Sequence, residues 1–224
     1  SLSALCEKTG ANIEEISKAV GLDHRIGPHF LKASVGFGGS CFQKDILNLV
    51  YLCRHYGLNE VAEFWHQVVK INDYQKERFS QKIIDTFNGN LKNKRVALLG
   101  WAFKPNTKDS RETPSKYVAG KLLEKGAILE VNDPMINLEQ IKSDLRSYFQ
   151  SKSIKKVKID SLLKNVTILS FEKITTFEFS CIAIITAWTD YENIDWKSLS
   201  LKTKIFDGCN VINENKNIYS IGYD

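Results

Sequence analysis

A cysteine within a glycine-rich segment is the residue of this chain best suited to chemistry. The surrounding sequence, VGFGGSCFQKD at positions 35–45, puts Cys41 where a loop is predicted to give way to a helix. Backbone N–H groups at a helix N-terminus stabilise negative charge, so a cysteine placed there carries more thiolate at neutral pH than a free cysteine does. Cys41 is therefore a candidate nucleophile.

Two charged residues follow Cys41 at the spacing of one helical turn. Lys44 and Asp45 stand at i+3 and i+4, so in a helix that begins near Cys41 they would share its face. An ammonium group there can support a thiolate or an oxyanion, and a carboxylate can activate water. Together these three residues predict a catalytic site.

Cys41 also has a purely structural interpretation, because free cysteine is among the most buried residue types. Gly36, Gly38 and Gly39 favour the catalytic interpretation. Glycine lets the backbone approach a ligand closely, and a simple turn rarely needs three glycines.

Apolar residues in the first part of the chain recur at helical spacing. The first residues already have the pattern of a helix. We predict a helix over 12–20, a loop over 21–40, and two further helices over 41–56 and 60–87. Gly57 fits the end of the third element. The last helix contains no proline, and Trp65 and its phenylalanines are predicted to be packing residues. These elements form a predicted helical central region, 1–88.

The period changes after residue 90, where strands and helices alternate. Strands are predicted over 95–99, 127–131, 166–171, 181–186 and 204–206, with a helix over 115–125. This alternation predicts an α/β fold with a doubly wound parallel sheet in residues 89–224.

The loop that follows the first strand is a candidate binding segment, because ligands of such sheets lie outside the carboxyl ends of the strands. Phe103, Lys104 and Arg111 fall on this loop. For Lys104 and Arg111 the alternative is ordinary loop charge. Asp133, followed by Pro134, predicts a turn rather than a ribose-binding acid.

Charge and cysteine content narrow the class of protein. The chain has 224 residues with 31 Lys+Arg against 26 Asp+Glu, a net charge of +5 that suits an anionic ligand. The lysines at 152, 155, 156 and 158 have no interleaved aromatics, so a solvated loop is predicted there rather than a nucleic-acid patch. The five irregularly spaced cysteines indicate neither a disulfide framework nor a CxxC metal site, which favours a cytoplasmic setting. No membrane span or signal peptide is predicted.

The sequence KASVGFGGSCFQKD at 32–45 closely resembles the active-site segment of the UDP-glucose dehydrogenases, in the form typical of animal enzymes. GWAFK at 100–104 and TKDSRE at 107–112 resemble a second signature of the same family. The resemblance extends from residue 1 to about residue 208, and the segment 142–178 follows it only in outline.

This resemblance implies a role for each matching residue. Cys41 is implied as the nucleophile, with Lys44 and Asp45 as its catalytic neighbours. The implied UDP-sugar contacts are Arg25, Lys32, Ala33, Ser34, Val35, Gly36, Phe37, Gly38, Phe103 and Lys104. The implied NAD contacts are Cys41, Phe42, Gln43, Lys44 and Arg111. Arg25 matches an arginine that reaches the sugar site of an adjacent subunit, which implies a dimer-based homo-oligomer.

The implied reaction is the NAD-dependent, four-electron oxidation of UDP-glucose to UDP-glucuronate. Hydride transfer from C6 gives an aldehyde, which Cys41 captures as a thiohemiacetal. A second hydride transfer gives a thioester, which is hydrolysed by water that Asp45 positions. Lys44 and nearby backbone donors stabilise the oxyanions.

Family members begin with an NAD-binding Rossmann domain, and this sequence contains no strand followed by G-x-G-x-x-G and a helix. The expectation is therefore a fragment that lacks the NAD domain and does not turn over by itself. The resemblance otherwise implies a Rossmann-like UDP-binding domain over residues 89–224.

One position departs from the family. Family members usually carry Asp-Gly-Arg near the final strand, where the arginine contacts substrate, whereas this chain has Asp207-Gly208-Cys209. A cysteine cannot supply a guanidinium group, and Cys209 is predicted to be inert rather than a second nucleophile.

Other functions stay open at this point. The chain could act on another nucleotide sugar, or it could be a non-catalytic nucleotide-sugar binding or dimerisation module. A cysteine acyl-transferase or protease would need a histidine base, and no motif selects one of the four histidines.

Overall fold

Helices make up the first part of the molecule. The computed structural model describes residues 2–212 and 218–223. The helices of this part are α1 (Leu2–Thr9), α2 (Ile13–Gly21), α3 (Phe42–His55) and α4 (Asn59–Thr86). These bounds confirm the predicted helices to within one or two residues.

A parallel sheet makes up the second part. Its strands are β1 (Arg95–Leu99), β2 (Ile128–Asn132), β3 (Val166–Ile168), β4 (Cys181–Ile184), β5 (Lys204–Asp207) and β6 (Ile218–Ser220). The order across the sheet is β3-β2-β1-β4-β5-β6, and every neighbouring pair is parallel. This is the order of a doubly wound Rossmann sheet. The predicted fold class is confirmed.

Helices cover the sheet between its strands. They are α5 (Pro114–Glu124), α6 (Leu138–Ser151), α7 (Lys156–Leu163), α8 (Lys173–Thr176), a 3₁₀ helix (Thr189–Asn193) and α9 (Trp196–Ser200). The sequence predicted α5 but not the helices that follow it. The predicted loop around the lysines is wrong in part, because α7 begins at Lys156 and buries Ile159 and Leu163 beneath an exposed lysine face.

Local signals explain where the helices begin and end. Asn12 caps α2, and its Oδ1 accepts a hydrogen bond from the N–H of Glu14 at 2.8 Å. Thr113 caps α5, with Pro114 at its first turn. Gly57 follows α3 with φ of +74°, a left-handed conformation that glycine adopts easily.

The long helix α4 joins the two parts. Its second half buries Phe79, Ile83 and Ile84 in the core of the sheet domain, whereas its first half packs against α3. The prediction that its aromatics are packing residues holds for Phe79 but is wrong for Phe64, which is 67% exposed. Helical periodicity locates an apolar face but does not say what covers it.

A buried charge cluster connects α1, α4 and β6. The Glu7 carboxylate accepts hydrogen bonds from the Arg78 guanidinium, from the Tyr219 hydroxyl at 3.0 Å and from the N–H of Gly222 at 2.8 Å. The side chains of Glu7 and Arg78 are only 14% and 15% exposed. Removing the carboxylate would leave the guanidinium without its charged partner.

We expect Glu7→Ala to lower the free energy of unfolding by about 2–4 kcal/mol, because three donors lose their acceptor. Urea denaturation measures this change. The matched control is Glu63→Ala, since Glu63 pairs with Lys70 at 2.7 Å on the exposed surface, where a pair contributes less than about 1 kcal/mol. Equal losses in the two variants would contradict the structural role of the cluster.

Candidate active site

Cys41 lies at the N-terminus of α3, as the cap residue immediately before Phe42. The residue is exposed, and its Sγ lies 3.5 Å from the Ser40 hydroxyl. The alternative of a small core cysteine is wrong for this position. The Cys41 side chain makes no capping hydrogen bond to the helix, and its thiol is open to solvent, where a ligand can reach it.

Lys44 and Asp45 stand on the first turn of the same helix. The Lys44 Nζ lies 3.5 Å from the Asp45 Oδ1, and the two side chains are 72% and 67% exposed. The N–H of Asp45 donates to the carbonyl of Cys41 at 2.8 Å. The helix therefore presents a thiol, an ammonium group and a carboxylate within one turn.

The other cysteines have different surroundings. All five cysteines are free thiols within the described residues, and Cys6, Cys53 and Cys181 are buried. Burial raises the pKa of the Cys181 thiol to about 12. Burial also raises the pKa of Cys209, whose Sγ donates to the carbonyl of Ile185 at 2.8 Å. Cys209 is therefore suited to a structural role rather than to nucleophilic attack.

Helix α4 forms one wall of the glycine loop. The Asn72 amide accepts from the N–H of Phe37 at 2.8 Å and donates to the carbonyl of the same residue at 3.0 Å. The Gln75 amide donates to the carbonyl of Ser34 at 2.8 Å. A Cβ added to Gly36 would lie 2.6 Å from the Asn72 Oδ1. The loop thus lies directly on two buried amide side chains.

The segment after β1 forms the opposite wall. The N–H of Gly39 donates to the carbonyl of Arg111 at 2.7 Å. A Cβ on Gly38 would lie 2.5 Å from the carbonyl oxygen of Glu112, and one on Gly39 would lie 3.0 Å from the Phe103 ring. The glycines therefore allow the loop backbone to pack closely against other parts of the same chain. The sequence alone did not predict this structural reason for the glycines.

The two sequence signatures thus meet around Cys41. Arg111 is 69% exposed and donates to the Asp109 carboxylate at 2.9 Å. This hydrogen bond, together with the negative charge of Asp109, raises the pKa of Arg111. The Lys104 ammonium lies 5.4 Å from the centre of the Phe103 ring. Arg111 and Lys104 are thus exposed cations on the segment that faces the glycine loop.

The remaining predicted site residues differ in accessibility. Val35 is 1% exposed as a whole residue and belongs to the core, so neither its side chain nor its backbone is open to a ligand in this structure, against the implied UDP-sugar contact. Lys32 is exposed, and Ala33 and Ser34 are half-buried. Arg25 is 78% exposed and pairs with Asp23 at 2.6 Å.

A hydrogen-bonded cluster behind the loop was not predicted. The Glu112 carboxylate accepts hydrogen bonds from the Tyr117 hydroxyl and, at 2.9 Å, from the Lys116 ammonium. Burial opposes ionisation of Glu112, but the hydrogen bonds from Tyr117 and Lys116 outweigh it and lower the pKa of that carboxyl. Since the Glu112 carbonyl touches Gly38, this cluster supports the loop from behind.

A cavity of about 560 Å³ lies between α4, α5 and α6, with Gln43 and Glu112 on its wall. Its lysines are already paired: Lys76 with Asp73, Lys116 with Glu112, Lys121 with Glu77 and Lys152 with Glu124. The Gln43 Oε1 is buried and has no hydrogen-bond donor among the described residues.

The carboxyl edge of the sheet is held together by two aspartates. The Asp133 carboxylate accepts from the backbone N–H groups of Trp101 and Ala102 at 2.6 and 2.9 Å. It also accepts from the N–H groups of Met135 and Ile136, which agrees with the predicted turn. Asp207 is fully buried, and burial raises its pKa although backbone N–H groups donate to it.

Residues 2–212 and 218–223 contain neither a metal-binding cluster nor a membrane-spanning helix. No cluster of His, Cys, Asp or Glu there could hold a metal ion. No helix there is long and apolar enough to cross a membrane.

The sheet order and the exposed thiol beside its carboxyl edge define a doubly wound α/β protein with a cysteine-centred candidate site. Residues 1–74 match the model of the UDP-glucose/GDP-mannose dehydrogenase family, central domain, and residues 97–214 match the model of that family's UDP binding domain. The chain belongs to the UDP-glucose/GDP-mannose dehydrogenase family, as its sequence motifs indicated.

Named relatives agree with this assignment. The chain is 46% identical to a UDP-glucose 6-dehydrogenase of Drosophila melanogaster and 43% identical to one of Bos taurus. Both alignments include 100% of this chain, but only 46% and 45% of the respective relatives. A solved UDP-glucose dehydrogenase from the archaeon Pyrobaculum islandicum superimposes with a TM-score of 0.79 at 31% identity, covering 99% of this chain and 46% of that one. The chain therefore spans about half the length of the curated relatives it matches.

We expect Tyr117→Phe to lower the free energy of unfolding at pH 7 by about 1–2 kcal/mol, because Glu112 loses a charge-assisted donor at a partly exposed site. The folded-state pKa of Glu112 is lowered, so its ionised form contributes stability above about pH 4.5. That contribution is lost as the pH falls through the folded-state pKa.

The difference between wild type and Tyr117→Phe should therefore shrink in urea titrations at progressively lower pH. The control is Tyr74→Phe, since Tyr74 is 50% exposed and should show little change at any pH. A difference that stays constant with pH would contradict the role assigned to the Tyr117 hydroxyl.

Proposed function

We propose that this chain forms the catalytic-cysteine and UDP-sugar-binding half of an NAD-dependent UDP-glucose 6-dehydrogenase, which oxidises UDP-glucose to UDP-glucuronate. The observation that carries the proposal is the exposed Cys41 at the N-terminus of α3, two residues after Gly39, whose N–H is bonded to the carbonyl of Arg111 in the segment that follows β1. The names of relatives that match the chain along its whole length support the substrate.

Cys41 is the proposed nucleophile. Its Sγ adds to the C6 aldehyde to form a thiohemiacetal, and oxidation of that adduct gives a thioester. Covalent capture keeps the aldehyde in the site and divides a difficult oxidation into easier steps. The ammonium of Lys44 and backbone N–H groups at the helix terminus stabilise the tetrahedral oxyanions, and Asp45 positions the water that releases the carboxylate.

The proposed UDP-sugar contacts are Arg25, the loop residues Lys32 to Gly38, Phe103 and Lys104. Two exposed lysines, Lys32 at the start of the glycine loop and Lys104 on the segment after β1, support binding of a diphosphate. Cys209 stands where family members usually have an arginine, and its thiol points at a carbonyl within the chain. This position supports an alternative in which the protein acts on another nucleotide sugar or binds one without oxidising it.

The residues proposed to hold NAD are Cys41, Phe42, Gln43, Lys44 and Arg111. Phe42 is 56% exposed, Lys44 and Arg111 are exposed cations, and the Gln43 Oε1 is a buried acceptor with no donor among the described residues. This set fits one edge of a dinucleotide that carries phosphates and an amide. NAD, when bound, accepts the hydrides released from C6.

The division of labour along the chain is also a proposal. Residues 1–88 act as the central catalytic and dimerisation region, and residues 89–224 act as the UDP-sugar-binding domain. The family matches at 1–74 and 97–214 support this division. Because the relatives are about twice as long, we propose that NAD turnover requires a further NAD-binding domain.

A cytoplasmic setting is also proposed. It is supported by the five free thiols, since disulfides are rare in that compartment.

Iodoacetamide labelling of the full chain tests the proposed site. We expect Cys41 to react fastest of the five cysteines, and UDP-glucose to slow that reaction while glucose 1-phosphate does not. Peptide mass spectrometry measures labelling at each cysteine, and Cys41→Ser is the control. Equal labelling rates with and without UDP-glucose would count against the proposed substrate. Better protection by another nucleotide sugar would support the alternative.

A homo-oligomer is the proposed state of the protein, based on the surface of α3 and α4. Large apolar side chains are exposed on these two helices and on the turn between them: Leu47, Tyr51, Leu52, Tyr56, Leu58, Val61, Phe64 and Trp65. Exposed apolar patches of this kind mark interaction surfaces. A second copy that covers this face would form a dimer-based assembly, in which Arg25 reaches the neighbouring sugar site.

We expect sedimentation velocity to find the wild-type chain as a dimer or a larger assembly and Phe64→Glu as a monomer, because a buried carboxylate would oppose association. Val157→Glu is the matched control, since Val157 is 83% exposed on α7 and should leave the assembly unchanged. A wild-type chain that is monomeric at all concentrations would exclude this face as a self-association surface of the chain.

A further inference from the structure

A row of buried polar side chains on α4 faces the glycine loop. Asn72, Gln75 and Lys76 stand at i, i+3 and i+4 and are 3%, 8% and 2% exposed. Buried polar groups are costly unless they find partners. The hydrogen-bond partners of Asn72 lie on the loop that leads to Cys41, whereas Gln75 bonds Ser34 on that loop and also Ser3 and Arg78. Asn72 is therefore the residue of this row whose amide serves the loop alone.

Asn72 makes the more complete of these contacts. Its amide bonds both the N–H and the carbonyl of Phe37, at 2.8 and 3.0 Å, and so takes the place of a neighbouring strand. Gly36 allows this approach, since a Cβ there would lie 2.6 Å from the Asn72 Oδ1. A side chain that satisfies both backbone groups of one residue fixes the orientation of that peptide.

The orientation of Phe37 is connected to the start of α3. The Phe37 ring packs edge-on against the Phe42 ring, with centroids 4.7 Å apart, and Phe42 is the residue directly after Cys41. On the other side, the N–H of Gly39 is held by the carbonyl of Arg111 at 2.7 Å. The peptide at Phe37 is thus one of two fixed points between which the loop approaches Cys41.

We propose that Asn72 is a positioning residue for the site: its amide sets the conformation of the glycine loop at Phe37 and thereby the place of the UDP-sugar relative to Cys41. Asn72 acts through the loop backbone, and the substrate part of this inference rests on the function proposed above. The inference adds a residue outside both sequence signatures, 31 positions after Cys41.

Asn72→Ala and Asn132→Ala form a matched pair for the test. Asn132 is also buried, at 8% exposure, and its amide also bonds a backbone carbonyl, that of Leu169 at 2.8 Å. Both substitutions remove a buried amide, so both should lower stability. Only Asn72→Ala should release the glycine loop.

Hydrogen–deuterium exchange of the full chain measures the loop directly. We expect the amides of residues 36–40 to exchange at least about tenfold faster in Asn72→Ala, which corresponds to ~1.4 kcal/mol, and to be unchanged in Asn132→Ala. Asn72→Asp keeps an oxygen that can accept from the Phe37 N–H and should restore part of the protection. If Asn72→Ala fails to fold, Gly36→Ala tests the same contact from the loop side.

The second readout is the UDP-glucose concentration at which the rate of Cys41 labelling by iodoacetamide falls to half. It should rise at least about tenfold in Asn72→Ala and stay at the wild-type value in Asn132→Ala. Equal exchange at residues 36–40 in all variants, or an equal increase in both alanine variants, would overturn the positioning role. A wild-type chain that UDP-glucose does not protect would instead overturn the proposed substrate, and the exchange experiment would still decide the role of Asn72.

Discussion

The site depends on how closely the backbone of the glycine loop approaches two walls of the protein. Gly36 lies against Asn72 on α4, and Gly38 lies against the carbonyl of Glu112, with less room at each place than a Cβ requires. Hydrogen bonds from both walls hold the loop between these contacts. These contacts fix the position of Cys41 at the helix N-terminus, because the loop leads directly into α3.

Electrostatics around the thiol follow from the same packing. Arg111 comes near Cys41 because its carbonyl binds the loop, and the lowered pKa of Glu112 follows from Tyr117 and Lys116 behind that loop. The charges deeper in the molecule are paired, as for Glu7 with Arg78. The cations beside the thiol are more exposed, which suits a site for an anionic sugar nucleotide.

The sequence predicted elements whose signal is local. β1 was predicted with its observed bounds because four consecutive apolar residues, 96–99, follow Arg95, and α3 because its apolar residues recur on one face. The helices after α5 were missed. The apolar signal of α6 is present in the sequence, since Ile141, Leu145 and Phe149 are buried at helical spacing, whereas α7, α8 and α9 have only eight, four and five residues. The roles of Asn72 and Glu112 could not be predicted, because their partners are set by the fold and no periodicity marks them. Cys41, Lys44 and Asp45 could be chosen as candidates because their residue types and spacing suggest chemistry, and their catalytic role stays a prediction.

The most direct test of the central claim is a crystal structure of this chain with UDP-glucose. The account predicts that the nucleotide lies along residues 32–38 with Phe103 and Lys104 beside it, and that the C6 hydroxymethyl group faces the Cys41 Sγ. UDP-glucose bound in the cavity between α4, α5 and α6, with C6 directed away from the thiol, would contradict it.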